Sequence, residues 1–185
     1  TKGSPQGSVI SPLLSNLFMH YAFDEWLRRN HPSIQFARYA DDAVVHAGSL
    51  QEAEALLAAI GQRLAECGLE LHPEKTKIVY CKDSDRRGTH EHTSFDFLGY
   101  TFRPRRAKNR YGKLFISFLP GVSNKAAKSV RATIRSWRLG ATRNNQSLEE
   151  IATFVNPFVR GWVNYYGRYY PSALTPVLRS LERSL

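Results

Sequence analysis

The sequence predicts a mixed α+β fold, in which an antiparallel sheet with packed helices is followed by an all-helical segment. Two observations predict it. Short apolar runs separated by polar breaks, a pattern typical of β-hairpins, recur between residues 34 and 119. Beyond them, apolar residues return every three or four positions, as in amphipathic helices. The change falls near Pro120-Gly121, so we expect a β-rich domain over residues 1–120 and a helical domain over residues 121–185.

A helix is predicted over Leu13–Arg29. Ser11 can cap its first turn, and Pro12 suits the first helical position because proline lacks an N–H that would be unpaired there. The apolar residues cover a broad face, from which we expect the helix to be deeply buried. These residues are Leu13, Leu14, Leu17, Phe18, Tyr21, Ala22 and Trp26.

Two β-type runs, Ile34–Ala40 and Ala43–Ala47, follow this helix. Only Asp41 and Asp42 separate them. A two-residue connection between β-type runs is typical of a tight hairpin, so the two aspartates are predicted to form its loop.

The most regular helical pattern follows Ser49, which forms a capping box with Glu52, and ends near Gly68. The other predicted elements are strands at Leu69–His72 and Lys77–Cys81, a hairpin of Phe95–Phe102 and Leu114–Leu119 joined by a basic loop, and helices at Asn124–Leu139, Leu148–Tyr169 and Ser172–Leu185. A second capping box starts the middle helix at Ser147, and Pro157 is expected to bend or divide that helix.

The net charge of +10 is distributed unevenly along the 185 residues. Residues 1–80 contain seven Lys or Arg and nine Asp or Glu, a balance of −2. The remaining 105 residues contain 19 and 7, a balance of +12. A basic half of this kind favours a polyanionic partner, although charge alone is also compatible with a merely soluble basic surface.

Several classes of protein are disfavoured by composition. No run of eighteen apolar residues occurs, which excludes a membrane-spanning helix. Cys67 and Cys81 are too few for a disulfide scaffold and favour a reducing compartment. Because the sequence begins at Thr1 and its one methionine is Met19, we expect a fragment of a longer protein.

Asp41 and Asp42 are the first candidates for chemistry. Two carboxylates at a hairpin tip repel each other by about 4 kcal/mol at 4 Å with an effective dielectric constant near 20. A divalent cation removes that repulsion, and Mg²⁺ prefers carboxylate oxygens. The alternative is that aspartate is simply a common turn former whose charge water screens.

The second candidate is a basic stretch in the predicted loop of the second hairpin. Six cations occur within residues 103–113, with no acid and with Tyr111 as the one aromatic residue. Such a composition suits contact with a phosphate backbone. Further cations recur at helical spacing after residue 124, where a solvated helix face is the alternative. The aromatic residues between Trp162 and Tyr170 favour a bundle core over base stacking, because their spacing is helical.

These motifs form an ordered series. The first blocks are Ser4-Pro5-Gln6-Gly7, the long helix, Tyr39-Ala40-Asp41-Asp42, Gly68-Leu69-Glu70-Leu71, Lys75-Thr76-Lys77 and Phe97-Leu98-Gly99-Tyr100. Their order resembles the palm of reverse transcriptases, and the later run over residues 156–167 resembles the thumb of group II intron-encoded maturases. The resemblance covers nearly the whole chain, and an ordered series is more specific than any single motif. It implies a partial polymerase palm followed by a helical thumb, or maturase, bundle.

The resemblance implies an RNA-directed DNA polymerase that also assists splicing of its own intron RNA. The primer 3′-hydroxyl would attack the α-phosphate of a deoxynucleoside triphosphate, with two Mg²⁺ assisting. Asp41 is the implied main metal ligand and Asp42 its weaker neighbour. Lys75 is the implied partner of the triphosphate, with Lys77 as a possible substitute, and the alternative of solvated strand-end charges stays open for both.

The resemblance also implies residues that contact the nucleic acids. Nucleotide and template contacts are implied for Gln6, Gly7, Tyr39 and Ala40, and a primer grip for Phe97, Leu98 and Gly99. RNA contacts are expected for Arg103, Arg105, Arg106, Lys108, Arg110, Lys113, Lys125, Lys128, Arg131, Arg160 and Arg168. Phe97, Leu98 and Tyr100 also suit a strand core, and that alternative remains.

The implied partners are intron RNA, an RNA template with a DNA primer, and deoxynucleoside triphosphates, in the bacterial cytoplasm and without a membrane. The fingers and a further catalytic aspartate would precede residue 1, so the chain alone is not expected to polymerise. Loss of the fingers would expose apolar palm surface, which favours a homodimer. Two alternatives stay open: an RNA-binding splicing maturase without polymerase activity, and a reverse transcriptase of a retron or diversity-generating element.

Overall fold

The computed structural model describes residues 9–86, 88–143 and 145–184. The chain divides into two compact units, residues 1–78 and 79–185. Both contain helices and antiparallel strands, which agrees with the predicted α+β class. Pro120 and Gly121, which mark the predicted boundary, lie inside a strand of the second unit. The predicted division into residues 1–120 and 121–185 stays a prediction.

The first unit begins with a helical segment that matches the predicted one in extent. It consists of α1 (Ser11–Met19), a π-helical turn (His20–Asp24) and α2 (Glu25–Asn30). The π-helical turn was not predicted. Within it the N–H of Glu25 donates to the carbonyl of His20, five residues earlier. Such a turn contains one residue more than an α-helical turn, which changes the helical phase by about 100°.

The predicted deep burial of this helical segment is wrong for its first half. Leu13, Leu17 and Tyr21 are 68%, 53% and 62% exposed, whereas Ala22, Phe23 and Leu27 are buried. In the described part of the chain, only the second half has helix α3 (Leu50–Glu66) packed against it. The breadth of an apolar face therefore did not predict what covers it.

Helix α3 forms as predicted. The hydroxyl of Ser49 accepts a hydrogen bond from the N–H of Glu52, while the Glu52 carboxylate accepts from Gly48 rather than closing a reciprocal capping box. Gly68 has a φ of +74° after the helix end, and Leu69 donates to the carbonyl of Leu64. The unit's buried core consists of Phe23, Leu27, Leu56, Ile60 and Leu64.

The predicted hairpin is present, with its loop one residue earlier than expected. Strand β1 (Phe36–Tyr39) pairs with β2 (Asp42–Val45), and Tyr39 lies opposite Asp42. The two loop residues are therefore Ala40 and Asp41, while Asp42 belongs to a strand. The hydrogen-bonding register decides this, and the alternation of residue types could not resolve a shift of one position.

The strands predicted at Leu69–His72 and Lys77–Cys81 do not form. A strand requires a neighbouring strand for its backbone groups, and among the described residues neither segment has one. The carbonyl of His72 instead accepts the N–H of Thr76 at 2.9 Å, in a turn that follows helix α3.

The second unit contains a three-stranded antiparallel sheet of order β3-β4-β5: β3 (Phe95–Phe97), β4 (Tyr100–Lys108) and β5 (Leu114–Val122). The predicted run Phe95–Phe102 is thus a hairpin by itself. The basic stretch expected as a loop is mostly strand, because every residue of β4 up to Lys108 pairs with β5. Beyond Phe102, β5 is the one neighbour of β4 in this sheet, and cations are common on such open edges.

In the part of the chain that the structure describes, four helices follow the sheet, where three were predicted: α4 (Asn124–Ser136), the short α5 (Leu139–Thr142), α6 (Leu148–Tyr166) and α7 (Pro171–Glu182). The capping box of Ser147 with Glu150 is confirmed, and α6 continues through Pro157 instead of dividing there. The buried core of this unit is formed by Val122, Ala127, Val130, Ile134, Leu174 and Val177. No helix in the described ranges combines the length and apolar character needed to cross a membrane.

Candidate functional site

The aspartate pair lies at the tip of the β1–β2 hairpin. Asp41 and Asp42 are both exposed, and so is the preceding Tyr39, at 65%. Ala40 has a φ of +54°, which is uncommon for a residue other than glycine. The hairpin therefore presents an aromatic ring and two carboxylates to solvent around a small alanine.

Arg38 of β1 holds this hairpin to the helical segment before it. Its Nε and Nη2 atoms donate to the two carboxylate oxygens of Asp24, both at 2.7 Å. Its Nη1 donates to the carbonyl of Ala40 at 2.7 Å and to Oδ1 of Asn16 at 3.1 Å. The hydrogen bonds from Arg38 lower the pKa of Asp24, and the carboxylate in turn raises the pKa of Arg38.

The π-helical turn that carries Asp24 is itself bonded to α3. The Nε of Arg63 donates to the carbonyl of Ala22 at 3.1 Å. The imidazole of His20 lies 3.6 Å from the Asp24 carboxylate. The aspartate that anchors Arg38 thus belongs to a segment fixed by the core helix of the same unit.

The residues present fit a Mg²⁺ ligand set in part. Asp41 and Asp42 supply hard carboxylate oxygens in adjacent positions, which suits Mg²⁺. No group of three or more His, Cys, Asp or Glu side chains comes together in residues 9–86, 88–143 and 145–184. The described residues therefore provide two carboxylate ligands and not a complete two-ion centre.

Two other groups of predicted site residues have less structural context. Lys75 and Lys77 are both exposed and follow α3 in irregular chain rather than in a strand. Gln6 and Gly7 lie outside the described residues. The roles expected for these four residues stay predictions.

The predicted primer-grip residues form the two-residue turn between β3 and β4. Leu98 and Gly99 have φ values of +49° and +78°, as a type I′ turn requires, and Phe97 lies opposite Tyr100. The hydroxyl of Tyr165 donates to the carbonyl of Leu98 at 2.8 Å. A Cβ on Gly99 would lie only 3.0 Å from the Tyr166 hydroxyl, so α6 approaches this turn closely.

Tyr100 belongs to the core, as one of the two alternatives predicted. It is 7% exposed, and its hydroxyl donates to the carbonyl of Tyr165. Burial, followed by the neighbouring tyrosines, raises its pKa. Trp162 and Tyr166 also pack on the core as expected, whereas Tyr165 and Tyr169 remain about half exposed.

Most of the predicted RNA-contacting cations are exposed. They are Arg103, Arg106, Lys108, Arg110, Lys113, Lys125, Lys128, Arg160 and Arg168, while Arg131 is half-buried. Arg105 is the exception in this set at 8% exposure. Its guanidinium donates to the carbonyls of Leu119 and Thr101, both at 3.1 Å, and burial lowers its pKa. Arg105 therefore supports the sheet instead of facing solvent.

The sequence did not indicate the roles of Arg38, Asp24 and Tyr165. Arg38 directly precedes the Tyr-Ala-Asp-Asp run, which is a signal that this arginine lies near the site. Its partner Asp24 is fourteen residues away, and Tyr165 is 67 residues from Leu98. Neither pairing follows from local spacing.

Comparison with known proteins gives two family matches. Residues 1–102 match the family described as "Reverse transcriptase (RNA-dependent DNA polymerase)", and residues 127–185 match the "Group II intron, maturase-specific domain". The chain is 29% identical over 154 residues to Protein YkfC of Escherichia coli strain K12, a match that covers 65% of this chain and 37% of that protein. It is 40% identical over 73 residues to Protein P of woolly monkey hepatitis B virus, covering 40% of this chain and 9% of the viral protein. The chain thus spans little more than a third of its bacterial relative and a tenth or less of the viral one.

Proposed function

The chain belongs to the group II intron reverse transcriptase/maturase family, and we propose that it works as the palm and thumb portion of an RNA-directed DNA polymerase that also assists splicing of its intron RNA. Residues 1–120 form the palm portion in this proposal and residues 121–185 the thumb, or maturase, portion. The observation that carries it is the pair of exposed carboxylates on the β1–β2 hairpin, which Arg38 bonds to Asp24. In the same chain, residues 1–102 match the reverse transcriptase family and residues 127–185 match the maturase-specific domain.

In this proposal Asp41 and Asp42 hold Mg²⁺, with a further ligand supplied from outside the described residues. When bound, two Mg²⁺ ions stabilise the charge on the attacking and leaving oxygens of a phosphoryl transfer. The exposed ring of Tyr39 and the small side chain of Ala40 leave room for an incoming nucleotide beside the carboxylates. Gln6 and Gly7 border the template, and Lys75 neutralises the triphosphate.

The turn at Leu98-Gly99 is proposed to hold the primer end. Its support is geometric: both loop residues have positive φ, and the Tyr165 hydroxyl fixes the Leu98 carbonyl. A turn with little freedom positions a substrate at a low entropic cost. The exposed cations of β4, of the following loop and of α4 would contact the phosphates of the template–primer duplex or of the intron RNA.

Primer extension on an RNA template tests this function. The assay uses the longer protein that contains this chain, supplied with Mg²⁺ and deoxynucleoside triphosphates. The unsubstituted protein is expected to make DNA, and Asp41→Asn is expected to lower the rate about a hundredfold or more, as removal of one electrostatic stabiliser does elsewhere. Asp85→Asn changes an exposed aspartate of the second unit and is the matched control, with an unchanged rate expected.

The two alternatives predict other results. A splicing maturase without polymerase activity would give no DNA product while still promoting intron splicing. A reverse transcriptase of a retron or diversity-generating element would make DNA but would not bind structured intron RNA. In this proposal a third metal-binding carboxylate comes from outside the described residues, and a chain without it is expected to give no product.

A further inference from the structure

We propose that Arg38 is the positioning residue of the aspartate turn: it fixes the Ala40–Asp41 peptide against Asp24, and so sets where the two carboxylates point. The effect on metal binding rests on the proposed function. The effect on the turn itself does not, because it concerns backbone geometry and is measured without added metal.

The first step of the argument is the conformation of Ala40. Its φ of +54° is strained for a residue with a Cβ, and such a conformation persists only when its surroundings hold it. The carbonyl of Ala40 is part of the peptide that leads into Asp41. Arg38 Nη1 donates to that carbonyl at 2.7 Å. This charge-assisted hydrogen bond therefore acts directly on the residue whose backbone is strained.

The second step is that Arg38 cannot move freely. Its side chain is 10% exposed and that of Asp24 is 12% exposed, and two parallel hydrogen bonds of 2.7 Å join them. Asn16 of α1 accepts a further bond from the same guanidinium. The arginine therefore transmits the position of the helical segment to the turn.

The third step is chemical specificity. One planar guanidinium donates to two separate acceptors. Its Nε and Nη2 donate to the Asp24 carboxylate, and its Nη1 donates to the carbonyl of Ala40. Lysine carries one compact ammonium and cannot span both groups, so Arg38→Lys keeps the charge and loses the bridge. A purely structural ion pair would tolerate an exchange of the two partners, whereas the bridge would not, since a carboxylate at position 38 cannot donate to a carbonyl.

These differences define the experiment on the chain as it stands. The turn is followed by the three-bond HN–Hα coupling and the Cβ chemical shift of Ala40 in isotope-labelled protein. The variants are Arg38→Lys and the exchange Asp24→Arg with Arg38→Asp. The matched control is Arg28→Lys, because Arg28 also bonds a carboxylate, that of Glu25 at 2.6 Å, without reaching the turn.

The expected result is that Arg38→Lys keeps the methyl resonances of the core but moves Ala40 out of the positive-φ region. The exchange variant is expected to recover thermal stability relative to Arg38→Asp alone and still show the altered Ala40 signals. Arg28→Lys should leave Ala40 unchanged. Unaltered Ala40 signals in folded Arg38→Lys, or in the exchange variant, would overturn the proposal. If the exchange variant fails to fold, the Arg38→Lys spectrum alone decides.

Mn²⁺ provides a second readout that separates this proposal from the proposed function. Line broadening at the amides of Asp41 and Asp42 during a titration with Mn²⁺ alone measures metal binding at the turn. Arg38→Lys is expected to weaken it about tenfold or more, as loss of an outer partner does at other metal sites. No broadening in the unsubstituted chain would count against the metal site, while the Ala40 coupling would still decide the role of Arg38.

Discussion

The hydroxyl of Tyr165 donates a hydrogen bond of 2.8 Å to the carbonyl of Leu98, and this contact joins helix α6 to the turn between β3 and β4. The same helix contributes Tyr166, whose ring lies against Gly99. The buried Tyr100 completes the cluster by donating to the carbonyl of Tyr165. The turn proposed to grip the primer is thus held by residues that match the maturase-specific domain.

Removing the Tyr165 hydroxyl should therefore destabilise the turn slightly. Tyr165→Phe is expected to lower the free energy of unfolding by about 0.5–1 kcal/mol, at the low end of a typical hydrogen bond because Leu98 is partly exposed to water. Urea denaturation measures this. Tyr169→Phe is the control, since that hydroxyl donates no hydrogen bond within the described part of the chain, and an equal loss in both variants would contradict the prediction.

Position 121 is predicted to require glycine, because a side chain there would collide with the guanidinium of Arg105. A Cβ at position 121 would lie 2.8 Å from Cζ of Arg105, and two hydrogen bonds keep that guanidinium in place. Gly121→Ala is expected to cost about 1–3 kcal/mol, as over-packing does. In an Arg105→Ala background the same change should cost almost nothing. A double-mutant cycle by chemical denaturation measures the coupling, and additive costs would refute the explanation.

The Asp24–Arg38 pair predicts how stability depends on acid. Because the pKa of Asp24 in the folded chain lies below its ordinary value of 3.8, the pair stabilises the fold at neutral pH. That contribution is lost as the pH falls through the ordinary pKa and then through the lowered one. Asp24→Asn should therefore reduce stability at pH 7 and flatten its decline below about pH 4.

Denaturation between pH 3 and pH 7 would measure this profile. His20 also titrates and faces Asp24. The unsubstituted chain and the Asp24→Asn variant are therefore best compared with His20→Gln present in both. Asp85→Asn, at an exposed site, serves as the control for loss of a carboxylate. An acid profile for Asp24→Asn that parallels the unsubstituted one would show that this ion pair is not responsible.

The exposed cations of β4 and its loop should determine how RNA binding depends on salt. A triple variant of Arg103→Glu, Arg106→Glu and Arg110→Glu is expected to weaken binding and to reduce the log–log salt slope by about 2, at about 0.7 per lost phosphate contact. Arg105 is left unchanged because it is buried. Binding is measured by fluorescence anisotropy with single-stranded RNA over a salt series.

The control for this series carries the same change of net charge at three other exposed arginines: Arg29→Glu, Arg179→Glu and Arg183→Glu. A smaller effect in the control would assign the RNA surface to β4 and its loop. Equal slopes in the two variants would mean that net charge alone governs binding. Undetectable binding by the unsubstituted chain at low salt would mean that the basic half is not a sufficient RNA surface.

Elements defined by local signals were predictable from the sequence. Helix α3 forms from the spacing of its apolar residues, with Ser49 at its start and Gly68 at its end, because both signals act within a few residues. The capping box at Ser147 and the presence of the aspartate hairpin follow from similarly short-range chemistry. The ordered motifs also led to the family that the comparisons show.

The errors share a different cause. The loop shifted from Asp41-Asp42 to Ala40-Asp41 because strand register is a relation between two strands. The basic stretch became strand because β5 pairs with it up to Lys108. The apolar face of α1 was predicted to be buried, and Leu69–His72 was predicted to be a strand. Each prediction required a neighbouring element that the described part of the chain does not provide, and a local pattern of residues does not show whether such a neighbour exists.

The sequence by itself therefore determined the family, the class of fold, the caps of α3 and α6 and the presence of the carboxylate pair, since residue type and short-range spacing specify all of these. Only the tertiary structure decided that Arg38 bridges Asp24 to the aspartate turn, that Arg105 lies buried against Gly121, and that Tyr165 holds Leu98. Three of these contacts, Arg38–Asp24, Arg105–Gly121 and Tyr165–Leu98, join residues fourteen or more positions apart, and packing of side chains against a particular backbone selects them.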